Sequence, residues 1–317
     1  MSRQPLIDQL DGAIARLLEG SGTTPGSVDA SIEDLLHIAQ DLRELPASEF
    51  KATLKTDLER KAQMSTKEVV FRPGFRTVTP YLHPQGPEFL DFLKKVFGAE
   101  ETERTVMAPD RFHAELRIGN SMVMVGVGSG RKMPVALELY VPNVDEVYKR
   151  AIDAGCRVLQ PIDDAHWEEG LRLGSVEDSS GDHWVIATHR KGDAYIPEGR
   201  SSLTTSFVAT GAARLVEFMK EAFNASEVQR YEWPNGLYAA MQIGDSVVGV
   251  SEASNHEWMR PMPAMTYLYV PDCDAVYQQA LRAGATSISA PADQKYGDRS
   301  GGVTDAWGNM WYMATPI

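Results

Sequence analysis

The stretch LGSVEDSSGDHWVIAT, residues 173–188, returns as GGVTDAWGNMWYMAT at residues 301–315. Both copies run Val, one residue, Asp, two residues, Gly, then Trp three residues on and Ala-Thr at the end. The repetition extends upstream in the same order. TPYLHPQGPEFLDFLKKVFGAEE from Thr79 matches TSFVATGAARLVEFMKEAFNASE from Thr205, and HAELRIGNSMVMVGV from His113 matches YAAMQIGDSVVGVSE from Tyr238. LELYVPNVDEVYKRAIDAGCRV from Leu137 matches TYLYVPDCDAVYQQALRAGATS from Thr266. The period is too long for a solenoid, so the repeat marks a domain duplication. It predicts two domains, 74–190 and 201–317, joined by a polar linker at 191–200 that holds Gly192, Pro197 and Gly199.

Each copy cycles twice through one pattern. A short strand (RTVTPYL) leads to an amphipathic helix with Phe89, Phe92, Leu93 and Phe97 on one face, and three short strands follow. The cycle restarts at ALELYV. The next helix carries the stripe Val144, Val147, Tyr148 and Ala151 and stops at Gly155. The expectation is βαβββ four times, an α+β chain. Residues 1–68 differ. Leu6, Leu10, Ile14 and Leu17, then Ile32, Leu35, Ala39 and Leu42, then Phe50, Leu54 and Leu58 read as three amphipathic helices. Such a segment has little core of its own. It either packs on its own domain or serves as a docking or homo-oligomerisation element.

The net charge of -13 and pI of about 5 argue against nucleic acid and anionic membrane as partners. Two cysteines, Cys156 and Cys273, make no disulfide framework and suit a reducing cytoplasm. The N-terminus lacks the apolar core of a signal peptide, and no window approaches a membrane span.

The phrases TPYL, FGAE, HAELRIG, YVPDCDAVYQQALRAGA and YGDRSGGVTDAWGN resemble the vicinal oxygen chelate superfamily of glyoxalases, bleomycin resistance proteins and extradiol dioxygenases, and within it the PhnB-like, glyoxalase-like subgroup. The resemblance covers about 74–317. It implies two tandem glyoxalase-like domains, each a pair of βαβββ units forming a cupped mixed sheet with helices outside. A tandem chain would then mimic the usual dimer.

Metal-dependent members hold a divalent cation with His and Glu on the first and last strands of each unit, where it acts as a Lewis acid. The corresponding slots here fall at Val185 and Tyr312, near Thr79 or Pro80 and Thr205 or Ser206, at Ala136 and Met265, and within MVMVGV and VVGVSE. The family's ligand set is absent, so no metal and no other cofactor is expected. The counter-indication lies in HAELRIG, where period two puts His113, Glu115 and Arg117 on one face. With Glu138, Tyr140 and His83 they offer a polar-lined cavity. The alternative is a catalytic site in the first domain using His113, Glu115 and Glu138, of lyase or dioxygenase type and with a divalent metal in its metal form.

The second copy replaces that set with Tyr238, Ala240 and Tyr267, and its cup face reads as aromatic: Tyr238, Tyr267, Tyr269 and Tyr312. Loops add Tyr296, Asp298 and Arg299 in one copy and Trp167 and Arg172 in the other. With Tyr140 these form the expected ligand-binding set. Aromatic walls with a few acids suit a flat or cationic organic ligand. The competing expectation is that the aromatics simply fill the cups. GVGSGRK lacks the spacing of a phosphate loop, no nucleophile elbow surrounds Ser179 and Ser180, and Cys156 reads as core packing. Three functions follow from these readings: sequestration of a small organic molecule, an enzyme with an unusual site, or an interaction protein acting through residues 1–68.

Overall fold

The computed structural model describes Arg72, residues 74–190 and residues 194–317. Residues Glu68–Ile317 form one compact unit. The three helices expected over residues 1–68 lie outside the described residues.

The four predicted units are all present. The first is β1 (Val78–Leu82), α1 (Glu88–Phe97), β2 (Glu100–Ala108), β3 (Arg111–Ile118) and β4 (Ser121–Val127). The second is β5 (Ala136–Tyr140), α2 (Val144–Asp153), β6 (Arg157–Asp164), β7 (Leu171–Glu177) and β8 (His183–His189). The third is β9 (Leu203–Ala209), α3 (Ala212–Phe223), β10 (Ser226–Trp233), β11 (Gly236–Ile243) and β12 (Ser246–Glu252). The fourth is β13 (Met265–Tyr269), α4 (Cys273–Arg282), β14 (Thr286–Asp293), β15 (Asp298–Thr304) and β16 (Met310–Pro316).

Local chemistry sets the helix ends in matching ways. Asn143 and Asp272 cap α2 and α4 by accepting from Glu146 N at 3.2 Å and Ala275 N at 2.8 Å. Gly98 ends α1 in the left-handed region at φ 69°, and Asn224 does the same for α3 at φ 53°.

The strands form two eight-stranded mixed sheets. Sheet I runs β14-β15-β16-β13-β1-β4-β3-β2, and sheet II runs β10-β11-β12-β9-β5-β8-β7-β6. The α+β architecture is as expected, but the two units of one repeat do not share a sheet. Sheet I joins the first unit of copy one to the last unit of copy two, through β1 antiparallel to β13 with Thr79 opposite Tyr267. Sheet II joins the other two units, through β5 antiparallel to β9 with Glu138 opposite Thr204. One buried cluster spans the helix-facing sides of both sheets. In it Trp184 of β8 meets Phe97 of α1 at 4.4 Å between ring centroids, and Trp311 of β16 meets Phe207 of β9 at 4.8 Å.

The element repeated at 173–188 and 301–315 is a hairpin lock. Asp178 accepts from Ser180 N at 2.8 Å and from the Trp184 indole at 2.7 Å. Asp305 accepts from Trp307 N at 2.9 Å and from the Trp311 indole at 3.0 Å. Asp182 and Asn309 then accept from Val135 N and Ala264 N, each at 2.9 Å, and so tie the lock to the start of the neighbouring strand. With Asp182 N and Asn309 N, which donate to Asp178 and Asp305, a buried indole and three backbone N–H groups per copy thereby find acceptors. The duplicated motif is structural.

Candidate functional site

Alternation along each strand sends one set of side chains to the helices and the other into a cup. In sheet I the cup face carries Thr79 and Tyr81 of β1, His83 just after it, His113 and Glu115 of β3, and Met122 and Met124 of β4. It also carries Tyr267 and Tyr269 of β13, Asp298 of β15 and Tyr312 of β16. Phe75, Met122, Met124, Tyr267, Tyr269 and Ala314 pack there as a separate buried cluster against Tyr81 and Tyr312. The polar groups sit among these rings. Glu115 is 3% exposed and takes Arg72 Nη1 on Oε1 at 2.6 Å and Nη2 on Oε2 at 3.1 Å. His113 Nε2 lies 3.6 Å from Glu115, and its Nδ1 meets the Tyr81 hydroxyl at 3.0 Å. Tyr267 donates to Asp298 at 2.8 Å.

Electrostatics follow from burial and neighbours. Burial raises Glu115, but His113 and the Arg72 charge outweigh it and hold the carboxyl below its usual range. Burial raises Asp298 against the Tyr267 hydrogen bond. It lowers His83 to about 4, with Arg131 adding to the effect, and raises Tyr81 to about 12.

Cup II has a different interior. Arg200, from the end of the linker, donates to Glu138 at 3.0 Å, to the Tyr238 hydroxyl at 2.9 Å and to Gln229 at 3.2 Å. Tyr195 and Ile196 of the same linker pack on Tyr140, Leu171 and Ala187. Residues 194–200 thus form a strap that lies in the cup. Gly249 of β12 leaves the needed room, since a Cβ there would lie 2.7 Å from Glu138 Oε1.

The expected set His113, Glu115 and Glu138 is divided by this topology. The first two line cup I with Tyr267, and Glu138 lines cup II with Tyr238. Period two places residues on a face, but it does not say which unit completes that face. The aromatic set splits likewise: Tyr267, Tyr269 and Tyr312 meet in cup I, and Tyr140 and Tyr238 in cup II. Tyr296 stands at the rim of cup I, 64% exposed, with its hydroxyl 3.0 Å from Ser300 Oγ. Trp167 is 59% exposed on the β6–β7 loop. Arg172 and Arg299 face the helices. Arg172 binds Asp145 at 2.8 Å and Arg299 binds Asp274 at 2.5 Å, at the N-terminal turns of α2 and α4. These two arginines clamp helix to sheet and line neither cup.

Sequence reasoning missed Arg72, Phe75 and Arg200. They lie outside the strands, where no periodicity reports direction. Their one signal was position, since each arginine stands shortly before the first strand of a repeat.

The slots that the resemblance assigns hold Thr79 or Pro80, Met265 and Tyr312 on sheet I, and Thr205 or Ser206, Ala136 and Val185 on sheet II. Glu138 is committed to Arg200. Among the described residues no three His, Cys, Asp or Glu side chains converge as an ion would require.

A family model for the glyoxalase, bleomycin resistance protein and dioxygenase superfamily matches residues 204–313. An uncharacterized protein of Mycobacterium tuberculosis is 33% identical over 149 residues, covering 44% of this chain and 88% of that protein. One of Mycobacterium bovis is 35% identical over 127 residues, covering 37% and 84%. Among solved structures, glyoxalase I from Zea mays aligns with a TM-score of 0.57 at 10% identity, over 75% of this chain and 92% of that one. A variant of the same enzyme aligns at 0.58 over 75% and 94%. The repeated βαβββ units, the two eight-stranded sheets and these matches agree: the chain belongs to the glyoxalase, bleomycin resistance protein and dioxygenase superfamily.

Proposed function

We propose that the protein binds and sequesters a small aromatic or cationic organic molecule in cup I, in the manner of the bleomycin resistance proteins of its superfamily. The observation that carries the reading is the wall of Tyr81, Tyr267, Tyr269, Tyr312 and Phe75 around two acids, Glu115 and Asp298. Ring faces attract cations, and a buried carboxylate anchors them. Cup II holds its own strap, so the ligand goes to cup I. The proposal includes no divalent cofactor, no nucleic-acid or membrane partner, and a cytoplasmic location suited to the two free, buried cysteines. Among the described residues no helix is long and apolar enough to cross a membrane. Any self-association is assigned to the N-terminal segment.

The test is calorimetric titration with flat aromatic cations, on protein checked for metal by mass spectrometry before and after incubation with nickel, zinc, manganese and iron(II). One site per chain is expected, weakened about tenfold or more by Tyr269→Ala or Glu115→Gln. A stoichiometric ion lost on His113→Ala, or binding indifferent to both ligand-site substitutions, overturns the reading. One contact favours a second reading, acid–base chemistry in the same cup: the chain Tyr81, His113, Glu115. Ligand recovered chemically unchanged after prolonged incubation would leave only sequestration.

A further inference from the structure

Twice the chain lays one of its own guanidinium groups in a cup. Arg200 in cup II engages Glu138, Tyr238 and Gln229, with its Cζ 6.0 Å from the Tyr238 ring centroid. Arg72 in cup I forks onto Glu115 and reaches Glu103 at 2.7 Å, with its Cζ 5.2 Å from the Phe75 ring centroid. The two carboxylates are not repeat equivalents. Glu115 stands on β3, where the second copy has Ala240, and Glu138 stands on β5, where it has Tyr267. Two unrelated acids have acquired the same partner, so the shape and chemistry of the cup, not ancestry, account for it. A guanidinium matches a carboxylate fork in its plane and an aromatic ring on its face, and each cup offers both.

The two arginines differ in how they are held. The Arg200 side chain is 10% exposed, and Tyr195 and Ile196 of its strap are packed into the cup. The Arg72 side chain is 34% exposed, while the Glu115 side chain beneath it is 4% exposed. Arg72 also precedes β1, so its side chain can leave without breaking a strand pair. Its departure would leave a buried carboxylate facing aromatic rings, a site that demands a cation.

We infer that Arg72 is a resident stand-in for the ligand, and that cup I takes a small guanidinium or amidinium compound whose planar cation replaces Arg72 on Glu115 beside Phe75 and Tyr269. The inference rests on the reading of cup I as an organic-ligand site and narrows it to one class of cation.

The experiment titrates the full-length wild type and Arg72→Ala with benzamidine, butylguanidine and butylamine. Arg72→Gln, which still donates to Glu115, replaces Arg72→Ala if the latter does not fold. Benzamidine and butylguanidine should bind the variant about tenfold or more tighter than wild type and tighter than butylamine by a similar factor, the size of one charge-assisted hydrogen-bonded pair. Glu115→Gln in the same background should erase the gain. Equal binding to wild type and variant, or a gain that survives Glu115→Gln, overturns the inference. Trimethylphenylammonium, an aromatic cation without N–H donors, separates the two levels. If it binds wild type and is lost in Tyr269→Ala while the guanidines gain nothing, the guanidinium assignment falls and the broader reading stands. If neither class binds either protein, both fall.

Discussion

Asp182 is a buried carboxyl where the second repeat has the amide of Asn309. Asn309 donates through Nδ2 to Asp305 at 2.8 Å, completing its lock. Asp182 keeps the matching backbone contact to Val135 N, but its Oδ2 is buried with no hydrogen-bond partner, and ionised it can donate nothing to Asp178. Burial and the Asp178 charge push Asp182 well above the usual carboxylate range, and burial takes Asp178 up to about 6. Raised values mean the folded state holds its protons more tightly. The stability they confer is full below the unfolded pKa of about 4 and is lost as pH rises through about 6 and beyond. Asp182→Asn should therefore stabilise the protein by about 1–3 kcal/mol near pH 8, the cost of leaving such a group unsatisfied. The gain should shrink toward pH 4. Denaturant melts at both ends of that window decide it, and a gain independent of pH would refute the account of a buried carboxyl that must ionise.

Among the elements, the strap at the end of the inter-repeat linker most changes how the cups are read. Arg200 and Glu138 are both largely buried, 10% and 15% exposed as side chains. Removing one partner of such a pair is costly, whereas replacing both with apolar groups is not. Arg200→Met should cost about 3 kcal/mol, and Arg200→Met with Glu138→Leu should recover most of it. Equal destabilisation in the single and double variants would mean that the strap is held by Tyr195 and Ile196 alone. The sequence showed the four βαβββ units through periodicity and the repeat, because periodicity is a local signal. It did not show where a loop arginine points. It also hid a one-residue slip. The repeat phrases set Tyr81 against Phe207, yet the pairing of Tyr81 with Met124 and Ser206 with Gly249 makes Ser206 its true equivalent. An extra residue before α3 restores the match along the helix. Facing side chains could be inferred strand by strand, but a slip of one exchanges the cup face for the helix face.

For the molecule as a whole, the decisive fact is that both central seams cross the repeat boundary. β1 of copy one pairs with β13 of copy two, and β5 of copy one with β9 of copy two. β13 is the repeat of β5, and β9 is the repeat of β1. Copy one by itself would therefore expose two bare strand edges, each complementary to the other edge on a second copy. The two edges generate an isologous contact with twofold closure, which joins two copies and no more. Residues 74–190 expressed alone should form a homodimer, rebuilding two eight-stranded sheets with β1 of each protomer on β5 of its partner. In that dimer both cups would be made from copy-one units, so His113, Glu115 and Glu138 would meet in one cup, as they do not in the tandem chain. Light scattering on the purified fragment gives the mass, and a folded monomer would contradict the seam argument. If the dimer forms, titrating it with nickel asks whether the three side chains, once assembled, hold an ion. Tight binding by the fragment and none by the full chain would mean that duplication, by pairing Glu115 with Tyr267 and Glu138 with Tyr238, is what separated a ligand set and left each carboxylate to an arginine.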